Sequence, residues 1–345
     1  MDPLVKPADT DAHAAEAPRI AESRGRYAIV VLLLLSGIAL VALVLTTGLP
    51  SRTRFLALLN NAGHALIFGL LAWIGLRLRA AFRPTPPPVL RDYIGILCAV
   101  VLIGGVTELI QFATGRGASF DDVLMDTAGA TFALCLSALR ARSRRHTREP
   151  PRQRRMLVAG ALLSATIVAA PLTHATVAYV IRRAEFPEIL YPDAPLALYF
   201  VQAGGTDIEI VPLPERWSEG PSRNALRVTT RRTRTPGVSI IEPEPDWREY
   251  SALTVDVVNP EARPLHLMVR VHDTAHDHRH EDRFNRAFVV PPATRSRIEI
   301  SLTEIASAPK DRVLDLSRVA GVVIFERSPE VPVGTSFYIV RVALE

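Results

Sequence analysis

Five apolar runs, each about twenty residues long, fill the first half of the chain: Tyr27–Leu45, Asn60–Leu78, Asp92–Phe112, Phe120–Leu139 and Met156–Val180. A segment of that length wound as α-helix matches the hydrocarbon thickness of a bilayer, and a helix satisfies its own backbone groups where no water can. The runs are therefore expected to be transmembrane helices. Of the 345 residues, those after Val180 are polar and Pro-rich, which implies a second domain folded in water.

Basic residues set the expected orientation. Arg24 and Arg26 precede the first run, Arg77, Arg79, Arg83 and Arg91 flank the link between the second and third, and a basic tract from Arg140 to Arg155 contains Glu149 as its sole acid. Placing all three groups in the cytoplasm satisfies the positive-inside rule for an N-in chain, against the weaker opposing signal of Arg52, Arg54 and Arg116. The resulting plan is a cytoplasmic tail (1–26), a four-helix membrane domain (27–140), a basic cytoplasmic loop (141–155), a fifth helix (156–180) and an extracytoplasmic domain (184–345). The first run lacks a following small-residue cleavage site and reads as an uncleaved anchor. The net charge of +5 comes from arginines beside apolar runs, not interleaved with stacking aromatics, so the expected partner is the lipid bilayer and not nucleic acid. Cys98 and Cys135, the two cysteines, both lie in apolar runs and read as small hydrophobes.

Polar side chains within lipid-spanning helices are costly, so their positions are informative. Asn60, Asn61 and His64 open the second run, Glu108 and Gln111 close the third, and Asp121, Asp122 and Asp126 open the fourth. On those boundaries His64, Glu108 and Asp126 fall at one depth, on the order of 6 Å inside the outer helix ends. Within each helix they share a face with small residues, Gly104 with Glu108 and Gln111, and Asp126 with Gly129 and Ala133, which lets backbones approach closely.

The motifs Asn61-Ala-Gly-His64-Ala-Leu-Ile-Phe68, Glu108-Leu-Ile-Gln111, Arg116 and Asp122-Val-Leu-Met-Asp126-Thr-Ala-Gly129 resemble the VanZ-like membrane proteins in order, spacing and helix placement over residues 30–140. The resemblance implies a bacterial inner-membrane protein of a family linked to reduced sensitivity to glycopeptide antibiotics such as teicoplanin, with no settled biochemical activity. That family commonly has Asn at the position of Asp126, so this chain departs from it by an added carboxylate, and no role is carried over to that position.

These residues admit several chemistries. Asn61, His64, Glu108, Gln111, Arg116, Asp122 and Asp126 are candidate ligand-binding residues, with His64 and Glu108 the candidate catalytic pair, a base beside an orienting carboxylate. Arg116 suits a phosphate. A metal on His64, Glu108 and Asp126 is a weaker alternative, and no cofactor is expected. The structural alternatives are a capping box from Ser119 to Asp122 and a polar network that only locks the bundle.

Beyond Val180, short alternating runs broken by Pro and Gly, from Asp207–Val211 through Leu265–Val271 and Phe284–Val290 to Ser336–Val342, imply an antiparallel β-sandwich of jelly-roll type. The fold class expected is thus an all-α membrane bundle followed by an all-β sandwich. Asp246-Trp247…Tyr250 through Asp256, Asp282-Arg-Phe-Asn285 and Leu314-Asp-Leu-Ser317 leading into Gly321–Phe325 resemble the galactose-binding-like sandwiches found as carbohydrate-binding modules. That resemblance implies a cell-wall or polysaccharide glycan as partner. Candidate glycan-binding residues are Trp247, Tyr250, His276, His278, Asp282, Arg283 and Asn285, with Trp217 a further aromatic, while Trp247 reads equally well as core. The histidines from His272 to His280 form a solvated loop or, less favoured, a metal site.

The expected function is binding of a cell-wall or lipid-linked glycan. The alternatives are a membrane enzyme using His64 and Glu108 on an envelope lipid or glycan, and a bundle that only anchors a lectin-like domain.

Overall fold

The structure is a computed structural model, and it describes residues 11–46, 53–83, 85–114, 120–143, 151–218, 222–231, 236–327 and 332–345. It divides into two compact units, Met1–Ala175 and Thr176–Glu345. Arg116 and Ser119 lie outside the described residues, as does the capping box read from Ser119.

The first unit holds the helices α1 (Asp11–Thr46), α2 (Arg54–Phe82), α3 (Leu90–Ala113), α4 (Phe120–Ser143) and most of α5 (Pro151–Glu185). All five are long and apolar enough to cross a membrane. Their outward surface is hydrocarbon: Leu32, Ile38, Leu102, Leu109, Leu162 and Leu163 are all exposed. In water such a surface would be a severe liability, and in lipid it is the expected exterior. The protein is a membrane protein.

Two local devices set the ends of α2. Thr53 caps its start, with Oγ1 accepting from the Leu56 N–H at 3.2 Å. At its other end Arg79 donates to the carbonyls of Arg83 and Pro86 at 2.7 and 2.8 Å and pairs with Asp92 of α3 at 3.1 Å, fixing the turn between the helices. Because α2 begins at Arg54 and not Asn60, His64 lies about 15 Å from its helix end, against about 8 to 9 Å for Glu108 and Asp126 at 1.5 Å per residue. Counted from the helix ends, the three residues do not stand at matched positions. The residues meet through helix crossing, not through matched helix ends.

The second unit is a sandwich of two antiparallel sheets. One has the order β3 (Thr206–Pro212), β4 (Asn224–Thr230), β11 (Ser336–Leu344), β6 (Ala252–Asn259), β9 (Thr294–Ser301), with β1 (Glu188–Leu190) also on β11. The other runs β2 (Val201–Gly204), β5 (Gly237–Ile241), β10 (Val319–Glu326), β7 (Leu265–Asp273), β8 (Phe284–Val290). Alternation builds the core between them. Leu265, Leu267, Val269 and Val271 of β7 point inward to meet Leu226, Leu253, Val255, Ile300 and Ile339 of the opposite sheet.

Trp247 is fully buried in this core, its indole N–H donating to the Glu244 carbonyl at 2.8 Å. Removing a buried side chain of that size costs about 3–5 kcal/mol. The last turns of α5 belong to this unit: Tyr179 donates to the Glu242 carboxylate, Arg182 to the Glu242 carbonyl, and Arg183 to Glu244 at 2.5 Å. The guanidinium of Arg182 also sits 4.6 Å from the ring centres of both Tyr179 and Phe200.

Candidate functional site

In the bundle the closest approach is between α2 and α4. A Cβ on Gly129 would lie 1.8 Å from the carbonyl oxygen of Ala65, and one on Gly69 would lie 3.1 Å from the carbonyl oxygen of Gly129, so the two backbones are in direct contact. His64 adjoins Ala65, and Asp126 stands one helical turn before Gly129. The crossing therefore presses this histidine against this carboxylate, Nδ1 to Oδ1 at 3.4 Å, longer than a charge-assisted hydrogen bond. Both residues are buried, and among the described residues neither carboxylate oxygen has a hydrogen-bond partner by geometry.

Helix α3 closes the third side. A Cβ on Gly104 would lie 2.9 Å from Asp126 Oδ2, so the carboxylate packs directly against the bare backbone of α3. Glu108, one turn on, is buried, and its charge reaches His64, Asp122 and Asp126. Gln111 is spoken for: its amide donates to the Val44 carbonyl of α1 at 3.3 Å, tying α1 to α3. Asn61 and Asp122 are half-buried on the same helices. The donors of His64, Glu108 and Asp126 do not converge as a metal-ligand set; among the described residues only His276, Asp277 and Asp282 do.

The sandwich presents a different surface. Facing away from the core, the five-stranded sheet carries one continuous row, Gln202 opposite Ser239, Ser239 opposite Val323, Val323 opposite Arg270 and Arg270 opposite Asn285. The adjacent row is apolar or bare: Gly204, Gly237, Phe325, Met268 and Ala287. Arg270 lies 5.2 Å above the Phe325 ring, and its Nε donates to Asn285 Oδ1 at 3.1 Å. The Asn285 amide in turn donates to the His280 carbonyl at 3.2 Å.

At one end of this face stand the histidines. His272 lies across Gly321, where a Cβ would come within 2.6 Å of its ring. Its pKa is pushed down to about 4, first by burial and then by the charges of His276 and Arg270. His276 stacks near it, ring centres 5.4 Å apart, and uses Nδ1 toward the Asp282 carbonyl at 3.1 Å and Nε2 toward Arg283 at 3.4 Å. His278, exposed in a left-handed backbone conformation with φ 70°, packs its ring edge-on to His276.

Asp282 has a structural task. Arg312 bridges it to Asp273, donating to Asp273 at 2.5 and 2.8 Å and to Asp282 through Nε. Hydrogen bonds from Arg312, and then from the Asp277 N–H, hold the Asp282 carboxyl well below the usual carboxylate range. With Asp277 also paired to Arg279 at 2.5 Å, both carboxylates of the metal-like cluster are already neutralised by guanidiniums.

The aromatics expected at a sugar platform are placed elsewhere. Trp247 is core, Tyr250 packs edge-to-face on Phe186 against that core, and Trp217 is buried with Leu213, Ala225, Val258 and Val340 on the outer side of the other sheet. The reason is local: the segment 247–250 is a turn anchored by backbone bonds from Trp247 to Leu316 and from Tyr250 to Trp247, which aims both rings inward. Of the sequence candidates, His276, Arg283 and Asn285 stand together at the sheet face. His272 of the histidine run and Gly321 of the module-like motif join them, as do Gln202, Ser239 and Arg270, which no sequence motif marked.

Solved structures similar to this chain include an exo-β-agarase at 14% identity and TM-score 0.35, covering 46% of this chain and 24% of its own, so this chain spans about a quarter of that protein. The family 11 carbohydrate-binding module of Clostridium thermocellum, solved with a mixed-linked tetrasaccharide, is similar at 14% identity and TM-score 0.30, covering 42% of this chain and 86% of its own. A non-crystalline-cellulose-specific module, CBM28, is similar at 12% identity and TM-score 0.31, covering 46% and 93%. A search among curated proteins finds no match. Residues 16–141 match the family model VanZ-LLP1, described as VanZ/LLP1, and the helices that carry His64, Glu108 and Asp126 are thus the VanZ-like part of this chain.

Proposed function

We propose that this protein is an integral protein of the bacterial inner membrane, N-terminus in the cytoplasm, whose extracytoplasmic sandwich binds a cell-wall or lipid-linked glycan. The observation that carries the reading is the row Gln202–Ser239–Val323–Arg270–Asn285. It spans five strands, about 19 Å at a 4.8 Å strand spacing, with amide, hydroxyl and guanidinium groups beside an apolar strip. Sugars offer the complement, hydroxyls at their edges and C–H faces between.

The test is binding of defined oligosaccharides to the full-length protein in nanodiscs, with Ser239→Val and Asn285→Ala as variants. Binding that both variants weaken supports the reading. A folded protein that retains no glycan from a broad array sinks it.

A second reading concerns the bundle. The His64–Asp126 pair has the form of a base with an orienting carboxylate, and an apolar groove of about 590 Å3 lined by Ala62, Ala65, Gly69, Gly129 and Ala133 runs along the same helices, though neither His64 nor Asp126 lines it. Acid–base chemistry on a lipid-linked substrate fits that setting. Turnover of such a substrate lost in His64→Ala, with folding retained, would favour it; an altered teicoplanin sensitivity that survives His64→Ala would favour an anchoring role for the bundle.

A further inference from the structure

Guanidiniums of the sandwich characteristically meet carboxylates, as Arg227 meets Glu209, Arg263 meets Glu326, Arg295 meets Asp256 and Arg341 meets Glu188. Arg270 and Arg283 form no ion pair among the described residues. Both are half-buried. Burial, and then the charge of Arg283, lower the pKa of Arg270; burial likewise lowers that of Arg283, which Glu281 offsets only through space. Two like charges held together out of water are costly unless something compensates them.

Their surroundings do not. The side chain of Arg270 spends Nε on Asn285, and among the described residues none of its nitrogens pairs with a carboxylate. Arg283 turns Nη1 to His276, another nitrogen, and its Nε is buried without a partner. Among the described residues Nδ1 of His272 is buried without a partner as well. Asp273 and Asp282 are already bound by Arg312, and Glu281 acts on Arg283 only through space. One end of the sheet face thus collects hydrogen-bond donors and positive charge with no carboxylate paired to them among the described residues.

We propose that Arg270 and Arg283, flanked by His272 and His276, form an oxyanion subsite that takes the carboxylate or phosphate of an acidic glycan lying along the polar row. This rests on the reading of the sheet face as a glycan site and names the class of glycan. The forked guanidinium donors match a carboxylate or phosphate in geometry, and such charge-assisted bonds are stronger than those to sugar hydroxyls. Gly321 contributes by leaving room for the His272 ring, which a Cβ there would meet at 2.6 Å.

The experiment is titration of full-length protein in nanodiscs of zwitterionic lipid with three probes: tetragalacturonate, its carboxyl-reduced neutral counterpart, and a sugar-phosphate oligomer. At least one acidic probe should bind about tenfold or more tightly than the neutral one, as one charged hydrogen bond implies, and added salt should weaken it. Which acidic probe does so identifies carboxylate or phosphate. Arg270→Gln and Arg283→Gln should each reduce acidic binding to the neutral level, Arg270→Lys should retain part of it, and Arg248→Gln, in an exposed pair with Asp246, should leave it unchanged. Equal binding of neutral and acidic probes, insensitive to both glutamine variants, would overturn the subsite while leaving the glycan face standing. Binding of none of the three would remove both.

Discussion

A Cβ atom placed on Gly129 of α4 would lie 1.8 Å from the backbone carbonyl oxygen of Ala65 in α2. No side chain separates the helices at that point, and the residue next to Ala65 is the one whose imidazole meets Asp126. Packing and chemistry are therefore coupled: the crossing that stabilises the bundle also sets the His64–Asp126 distance.

Gly129→Ala should force α2 and α4 apart and destabilise the bundle by about 2 kcal/mol or more, as overpacking does. Gly63→Ala is the matched comparison, since a Cβ there meets nothing within 4 Å. It should be neutral or stabilising, because alanine favours helix over glycine by about 1 kcal/mol. Thermal unfolding of both variants in detergent checks the pair, and equal stability would mean that the close crossing is not under compression.

His64 and Asp126 should behave as a unit. In a double-mutant cycle on stability, His64→Ala and Asp126→Asn should couple by roughly 1 kcal/mol, since either change leaves the other group buried without its neighbour. Adding Glu108→Gln to the cycle should give a smaller coupling, because Glu108 acts on both through its charge. Strict additivity of His64 and Asp126 would show that their 3.4 Å contact carries no energy.

Much of this molecule was legible in its sequence, for identifiable reasons. Apolar length marks every membrane helix, and alternation marks β8 to the residue, Phe284–Val290. The strands β1 and β2 were not legible because three and four residues are too few for a period of two to show. In the bundle, His64, Glu108 and Asp126 stood out because charge inside an apolar run is expensive wherever the helix packs. On the sandwich that signal vanishes: charged and polar side chains are ordinary on an outward face, so nothing local distinguishes Arg270 from Arg227. The polar row exists only because β2 joins β5 and β5 joins β10, pairings set by the whole fold. Trp247 was ambiguous for the same reason, an aromatic in a turn being core or platform according to what the turn packs on.

The orientation prediction is independent of any ligand. Five crossings from a cytoplasmic N-terminus place Glu345 outside, so alkaline phosphatase fused after it should be active and a cytoplasmic reporter at the same point silent. The reverse pattern would show that one of the five helices does not cross.

Acid should destabilise the sandwich in two separable stages. The pKa of His272 falls to about 4 in the folded protein from about 6.5 unfolded, so between those values the unfolded chain takes up the proton more readily and stability declines as pH falls. Asp282 behaves differently: its folded pKa is depressed by Arg312, so its contribution is complete above the unfolded carboxylate value of about 4 and is lost only below it. His272→Gln should flatten the upper stage alone, and Arg312→Gln should lower stability at neutral pH, since it strips both Asp273 and Asp282 of their shared partner. In a Trp73→Phe background the remaining tryptophans, Trp217 and Trp247, both lie in the sandwich, so thermal unfolding followed by their fluorescence reports this domain. An upper stage that persists unchanged in His272→Gln would mean that His272 is not desolvated, and the enclosed floor of the sheet face would have to be redrawn.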